Sequence, residues 1–104
     1  MKEIIWTAGA ARELQEVFEQ LEDFYDGAGN RLLDEVQRLT ALLSAQPLLG
    51  SVFESPVRKL LVARRYGILY SPETRGVVIL CFVDLRRDLQ PIRKRLRDWF
   101  GRRE

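Results

Sequence analysis

Histidine is absent from all 104 residues. Its absence removes the commonest general base near neutral pH and the commonest metal ligand. Cysteine is nearly absent too. Cys81 stands alone inside an apolar run, so neither a disulfide nor a multi-thiolate metal site can form within one chain. Such a thiol reads as buried and inert, because thiolate chemistry needs a partly exposed, electropositive setting. No stretch approaches the roughly 18 uninterrupted apolar residues of a membrane span. The start, Met1 to Thr7, lacks a signal-peptide apolar core and cleavage site, so the chain is expected in the cytoplasm. No Gly-rich phosphate loop occurs. These absences favour binding, or catalysis by Arg and Lys electrostatics, over ordinary acid–base enzymology, and no cofactor or metal is expected.

What the chain does carry is divided charge. Residues 1–57 hold four bases against ten acids, and residues 58–104 hold thirteen bases against five acids. The net charge of +2 conceals this split. A small protein with one strongly basic half usually presents that half to something acidic. The length fits a single domain over residues 1–104, with 46% apolar and 31% charged residues, enough for one core.

Period along the chain predicts the elements. Glu3 to Trp6 is a short β-prone run and Thr7 a helix N-cap. Ala10, Ala11, Leu14, Val17, Phe18, Leu21, Phe24 and Tyr25 recur in steps of three and four, one broad helical stripe. The acids Glu13, Glu16, Glu19, Glu22 and Asp23 read as the solvated face of that helix, not as a metal site. Asp26 to Asn30 breaks it. A second helix shows Leu32, Leu33, Val36, Leu39, Leu42 and Leu43, and Gln46–Pro47 stops it. So short a break predicts an antiparallel hairpin.

Pro47 to Pro56 reads as loop. Val57 to Arg64 reads as strand, then Tyr66 to Ser71, where Tyr66, Ile68 and Tyr70 alternate onto one face. Val77 to Val83 is apolar throughout, as in a strand covered on both faces. A last helix has Asp88 as cap, Pro91 in its first turn, the stripe Leu89, Ile92, Leu96, Trp99 and Phe100, and a basic side of Arg93, Lys94, Arg95 and Arg97. The predicted fold is α+β in the order β-α-α-β-β-β-α, a helical hairpin on a small, mostly antiparallel sheet.

Ile5-Trp6-Thr7-x-x-Ala10-x-x-x-Leu14, then Leu43-x-x-x-Pro47-x-x-Gly50, Arg58-x-Leu60-x-Val62, Tyr66-x-Ile68-x-Tyr70 and Val78-Ile79-Leu80 leading to Arg86-Arg87-Asp88 occur in an order and spacing that resembles the ParE side of the RelE/ParE superfamily over roughly residues 4–90. The resemblance implies a RelE/ParE-like fold and a toxin of a type II toxin–antitoxin module. By it, the chain would bind DNA gyrase without chemistry of its own. It would be neutralised by a ParD-like antitoxin in a hetero-oligomer, with no membrane and no direct sequence-specific nucleic-acid binding. RelE-type relatives instead cut mRNA on the ribosome. One position departs from the pattern: ParE-like chains often have histidine two residues before the Arg pair, where this chain has Asp84, which leaves open a member that only binds its antitoxin.

Residue roles follow from charge and family position. Lys59, Arg64, Arg65, Arg86, Arg87, Arg93, Arg97 and Trp99 are the expected target-binding surface, a continuous basic face. The bland alternative is a solvated face with weak ion pairs. Arg58 alternates with Leu60 and Val62 and is expected to pair with an acid of the hairpin. Leu14, Phe18, Leu21, Tyr66, Ile68 and Tyr70 are the expected antitoxin contacts, although Tyr66 and Tyr70 also read as core-edge packing. An RNA cut would need a group to take the 2′-hydroxyl proton, which leaves only Lys59, a tyrosine or a carboxylate. Trp99 and Phe100 can stack on a base but cannot relay a proton.

Overall fold

The computed structural model describes residues 1–101. Its elements are β1 (Ile4–Trp6), α1 (Ala8–Phe24), α2 (Ala28–Ala45), β2 (Ser51–Glu54), β3 (Val57–Val62), β4 (Tyr66–Glu73), β5 (Gly76–Asp84) and α3 (Gln90–Gly101). The expected α+β architecture is present. The segment read as loop contains one further short strand, β2. It lies at the sheet edge, where it pairs Ser51 with Lys59 and Val52 with Arg58. Four residues among Pro, Gly and Ser carry too little pattern to announce a strand.

The sheet order is β1-β5-β4-β3-β2. β1 runs parallel to β5, and the other neighbours are antiparallel. The Thr7 side chain caps α1 by accepting the Ala10 N–H at 3.1 Å. The hairpin turns at Gly27, whose φ of 87° lies where only glycine is unstrained.

Two cores sandwich the sheet. On one face α1 and α2 bury Ala10, Leu32, Val36, Leu39 and Leu43 against Val62, Tyr66, Ile68, Tyr70, Val77, Ile79 and Phe82. On the other, Leu96 of α3, backed by Leu89, Ile92 and Phe100, covers Phe53, Val57, Leu69, Cys81 and Val83. A bulge in β5 decides which residue joins which core. Leu69 pairs with Cys81 but Tyr70 with Ile79, so Leu80 is the extra residue. Strict alternation would send Phe82 to the α3 side. The added residue shifts the phase and returns it to the hairpin side, where its ring stacks on Tyr66 at 5.4 Å.

Candidate partner-binding surfaces

The β3–β4 connection is built on an uncommon backbone. The Arg65 N–H bonds to the Val62 carbonyl at 3.1 Å, which closes a tight turn. Its two central residues, Ala63 (φ 52°) and Arg64 (φ 60°), are both left-handed. That conformation costs a non-glycine residue about 1–2 kcal/mol. The turn leaves Arg64 exposed, and a Leu85 N–H to Arg65 carbonyl bond of 2.8 Å fastens it to the end of β5. Arg64 and Arg65 thereby meet Arg86 and Arg87, 22 residues later in the chain. Lys59 borders this corner: a Cβ placed on Gly67 would fall 2.9 Å from the Leu85 side chain and 3.5 Å from Lys59 Cγ.

Asp84 is the hub of the corner. Its carboxylate accepts Arg65 Nε at 3.2 Å and Nη2 at 3.1 Å, the Arg86 backbone N–H at 3.0 Å, and Arg86 Nε and Nη2 at 3.3 Å. The Arg86 N–H, helped by both guanidiniums, holds the Asp84 carboxyl well down, to about 2, because each of these donors favours the charged form. Asp84 is therefore anionic throughout the physiological range, and the corner works by fixed charge. Among the described residues, Arg64, Arg87 and Lys59 carry no ion pair.

Arg93 and Arg97 belong to a different place. Both reach Glu54 of β2, at 3.5 and 3.3 Å, toward the opposite end of the sheet from Asp84. Trp99 is half exposed on α3. The expected continuous basic face thus resolves into two groups, each tied to its own carboxylate. The physical reason is pairing: one anion placed between two guanidiniums satisfies donors that would otherwise repel one another.

The expected antitoxin contacts also divide. Leu14, Phe18 and Leu21 lie along α1, half-buried, with Leu14 and Leu21 against the hairpin-side core. Tyr66, Ile68 and Tyr70 are core. Ile68 and Tyr70 have no exposed surface, so they offer a partner nothing to touch on this face. The Tyr70 hydroxyl accepts the Gly50 N–H at 2.8 Å, and burial pushes its phenol pKa up. Arg58 pairs with no hairpin acid; its guanidinium donates to the Leu48 and Gly50 carbonyls.

Sequence pattern missed two acids. Glu13 and Glu22 are not merely solvated. Glu13 accepts the Phe82 N–H at 3.1 Å, and Glu22 accepts the Gly29 N–H at 2.9 Å. Nothing in a helical stripe signals that an acid will reach a strand 69 residues away. Phe24 and Tyr25, part of the predicted stripe, stand exposed at the end of α1. Among the described residues no cluster of Cys, Asp and Glu could hold a metal ion, and no helix is long and apolar enough to cross a membrane. Burial, with the Glu13 charge nearby, raises the Cys81 thiol pKa.

The family model of the ParE toxin of the type II toxin–antitoxin system parDE matches residues 4–89. No curated protein matches in sequence. Among solved structures the chain is similar to one from the chromosomal ParDE TA system of P. aeruginosa, with a TM-score of 0.69 and 19% identity, covering 81% of this chain and 96% of that one. At that identity the likeness speaks for the fold.

Proposed function

The chain belongs to the family of ParE toxins of type II toxin–antitoxin systems, and from that premise we propose that it works by binding, as a single toxin domain in the bacterial cytoplasm. Its target is DNA gyrase, and a cognate ParD-like antitoxin neutralises it in a hetero-oligomer. The observation that carries this reading is the arginine corner. There, among the described residues, Arg64 and Arg87 are presented without counter-ions, beside an aspartate held in its charged form. Such a corner can grip an acidic surface by fixed charge. Lys59 flanks it; Arg93 and Arg97, already paired with Glu54, contribute less.

The test is supercoiling by purified gyrase. The wild-type chain should inhibit it, and the Arg64→Glu/Arg87→Glu double variant, altered only at exposed positions, should lose about tenfold or more in potency while still folding. Unimpaired gyrase at saturating wild-type chain would remove the reading.

A second reading has its own observation. Asp84 cancels two of the four corner arginines, which favours a member that binds its antitoxin without arresting growth. Expression of the chain alone in a bacterium decides between them: arrest supports the first reading, and normal growth the second.

A further inference from the structure

Leu39 to Phe53 is a run of fifteen residues without a charge, in a chain where 31% of residues are charged. It spans the last turns of α2, the following loop and most of β2. Part of it is core, since Leu39, Leu43 and Phe53 are buried. The rest faces water. Leu48 and Val52 are 65% and 64% exposed, and Leu42 and Leu49 are exposed as well. Arg58 ties the loop to the strand. It stands opposite Val52 in the β2–β3 pairing, and its guanidinium donates to the Leu48 and Gly50 carbonyls, which turns its charge onto backbone.

This surface lies at an open edge of the sheet, because β2 is the last strand in the order β1-β5-β4-β3-β2. At one end of β2 the Phe53 carbonyl accepts from Arg93 Nη1 at 2.7 Å, and Glu54 holds Arg93 and Arg97. Ser51 and Val52, both exposed, form the other end. A contiguous apolar patch on an otherwise charged protein marks a contact, and an open strand edge is a template for pairing.

We propose that this surface joins two copies of the chain, with the β2 edges antiparallel across a two-fold axis and Leu48, Leu49 and Val52 of each copy packed against the other. Charge selects the occupant. A two-fold contact sets the same patch against itself, so the acidic face of α1 and the arginine corner would each repel their own copies. The charge-free run carries no such penalty, and it offers a charged partner nothing to pair with. β2 pairs with β3 only as far as Lys59, so the corner at Arg64 lies beyond the contact and each copy keeps its own. The patch is on the order of a few hundred Å² per copy, below the roughly 800 Å² per partner of a stable interface. The dimer is therefore weak, with a Kd on the order of 10–100 μM.

Sedimentation equilibrium of the full purified chain, from about 1 μM to about 1 mM, tests this. Monomer should give way to dimer across that range. Leu48→Lys and Val52→Lys, at exposed positions in the loop and the strand, should each weaken dimerisation about tenfold or more with the circular dichroism spectrum unchanged. Phe24→Ser is the control. It removes an apolar side chain that is 89% exposed, at the opposite end of the hairpin from the loop after α2, and should leave the dimer intact. A wild-type chain that stays monomeric at about 1 mM assigns the patch to a different partner and overturns the proposal. A dimer that tolerates both lysine variants, or that is lost in Phe24→Ser, overturns it too.

Discussion

The guanidinium carbon of Arg93 sits 3.9 Å from the centre of the Phe53 ring, and its Nη1 donates a 2.7 Å hydrogen bond to the carbonyl of that same residue. Arg93 thus clamps α3 onto the edge strand β2. Its stacking, its hydrogen bond and its ion pair with Glu54 all serve the fold. Arg93→Ala should lower stability by about 2 kcal/mol, from the lost cation–π contact and the lost charge-assisted hydrogen bond. Arg93→Lys should recover only part, because an ammonium cannot stack as a planar fork. Urea denaturation followed by circular dichroism measures both, and an unchanged midpoint for Arg93→Ala would contradict the clamp.

Asp84 gives a pH prediction whose sign is fixed by its environment. Its folded pKa, about 2, lies below the ordinary 3.8. Its stabilising contribution is therefore fully present above the ordinary value and is lost as pH falls toward 2. Asp84→Asn should flatten the stability profile in that acid window. Carboxyl chemical shifts titrated by NMR read the same quantity directly, and an ordinary midpoint would sink the hub assignment.

Tyr70→Phe removes one hydroxyl and leaves the Gly50 N–H without its partner in a buried place. The expected cost is about 1–3 kcal/mol, with the fold retained. Equal thermal stability of the variant and the wild type would mean that Gly50 finds another acceptor.

Ala63→Gly should stabilise. The residue stands at a left-handed φ of 52° and is exposed, so removing its Cβ relieves strain of about 1–2 kcal/mol against a smaller gain in unfolded-chain entropy. A lower denaturation midpoint would show that the turn is relaxed as it stands. Because no charge changes, gyrase inhibition should be untouched.

The helical period of α2 marked Leu32, Leu33, Val36, Leu39, Leu42 and Leu43; Leu32, Val36, Leu39 and Leu43 are buried, Leu33 is half-buried and Leu42 is exposed, since a stripe that repeats every three to four residues has only one face to hide. The same rule overreached at Phe24 and Tyr25, which end α1 and stand exposed. Alternation placed Tyr66, Ile68 and Tyr70 on one face correctly, yet could not say whether that face looked at water, a partner or the hairpin. Thr7 was legible as a cap because capping is local; Asp88, expected as the cap of α3, stands one residue before the N-cap position, where its carboxylate accepts the Gln90 N–H at 3.0 Å.

Local chemistry in the chain, namely helical stripes, caps, apolar strands and a basic second half, settled which elements form and that the surface would be charged, because each depends on neighbours within a few residues. Tertiary packing alone decided which charges survive. Asp84 and Glu54 each gather two arginines, and Glu13 finds the Phe82 N–H, through register, a bulge and a left-handed turn. Those pairings join residues up to 69 positions apart, and Coulomb energy and hydrogen bonding follow distance in space, not along the chain.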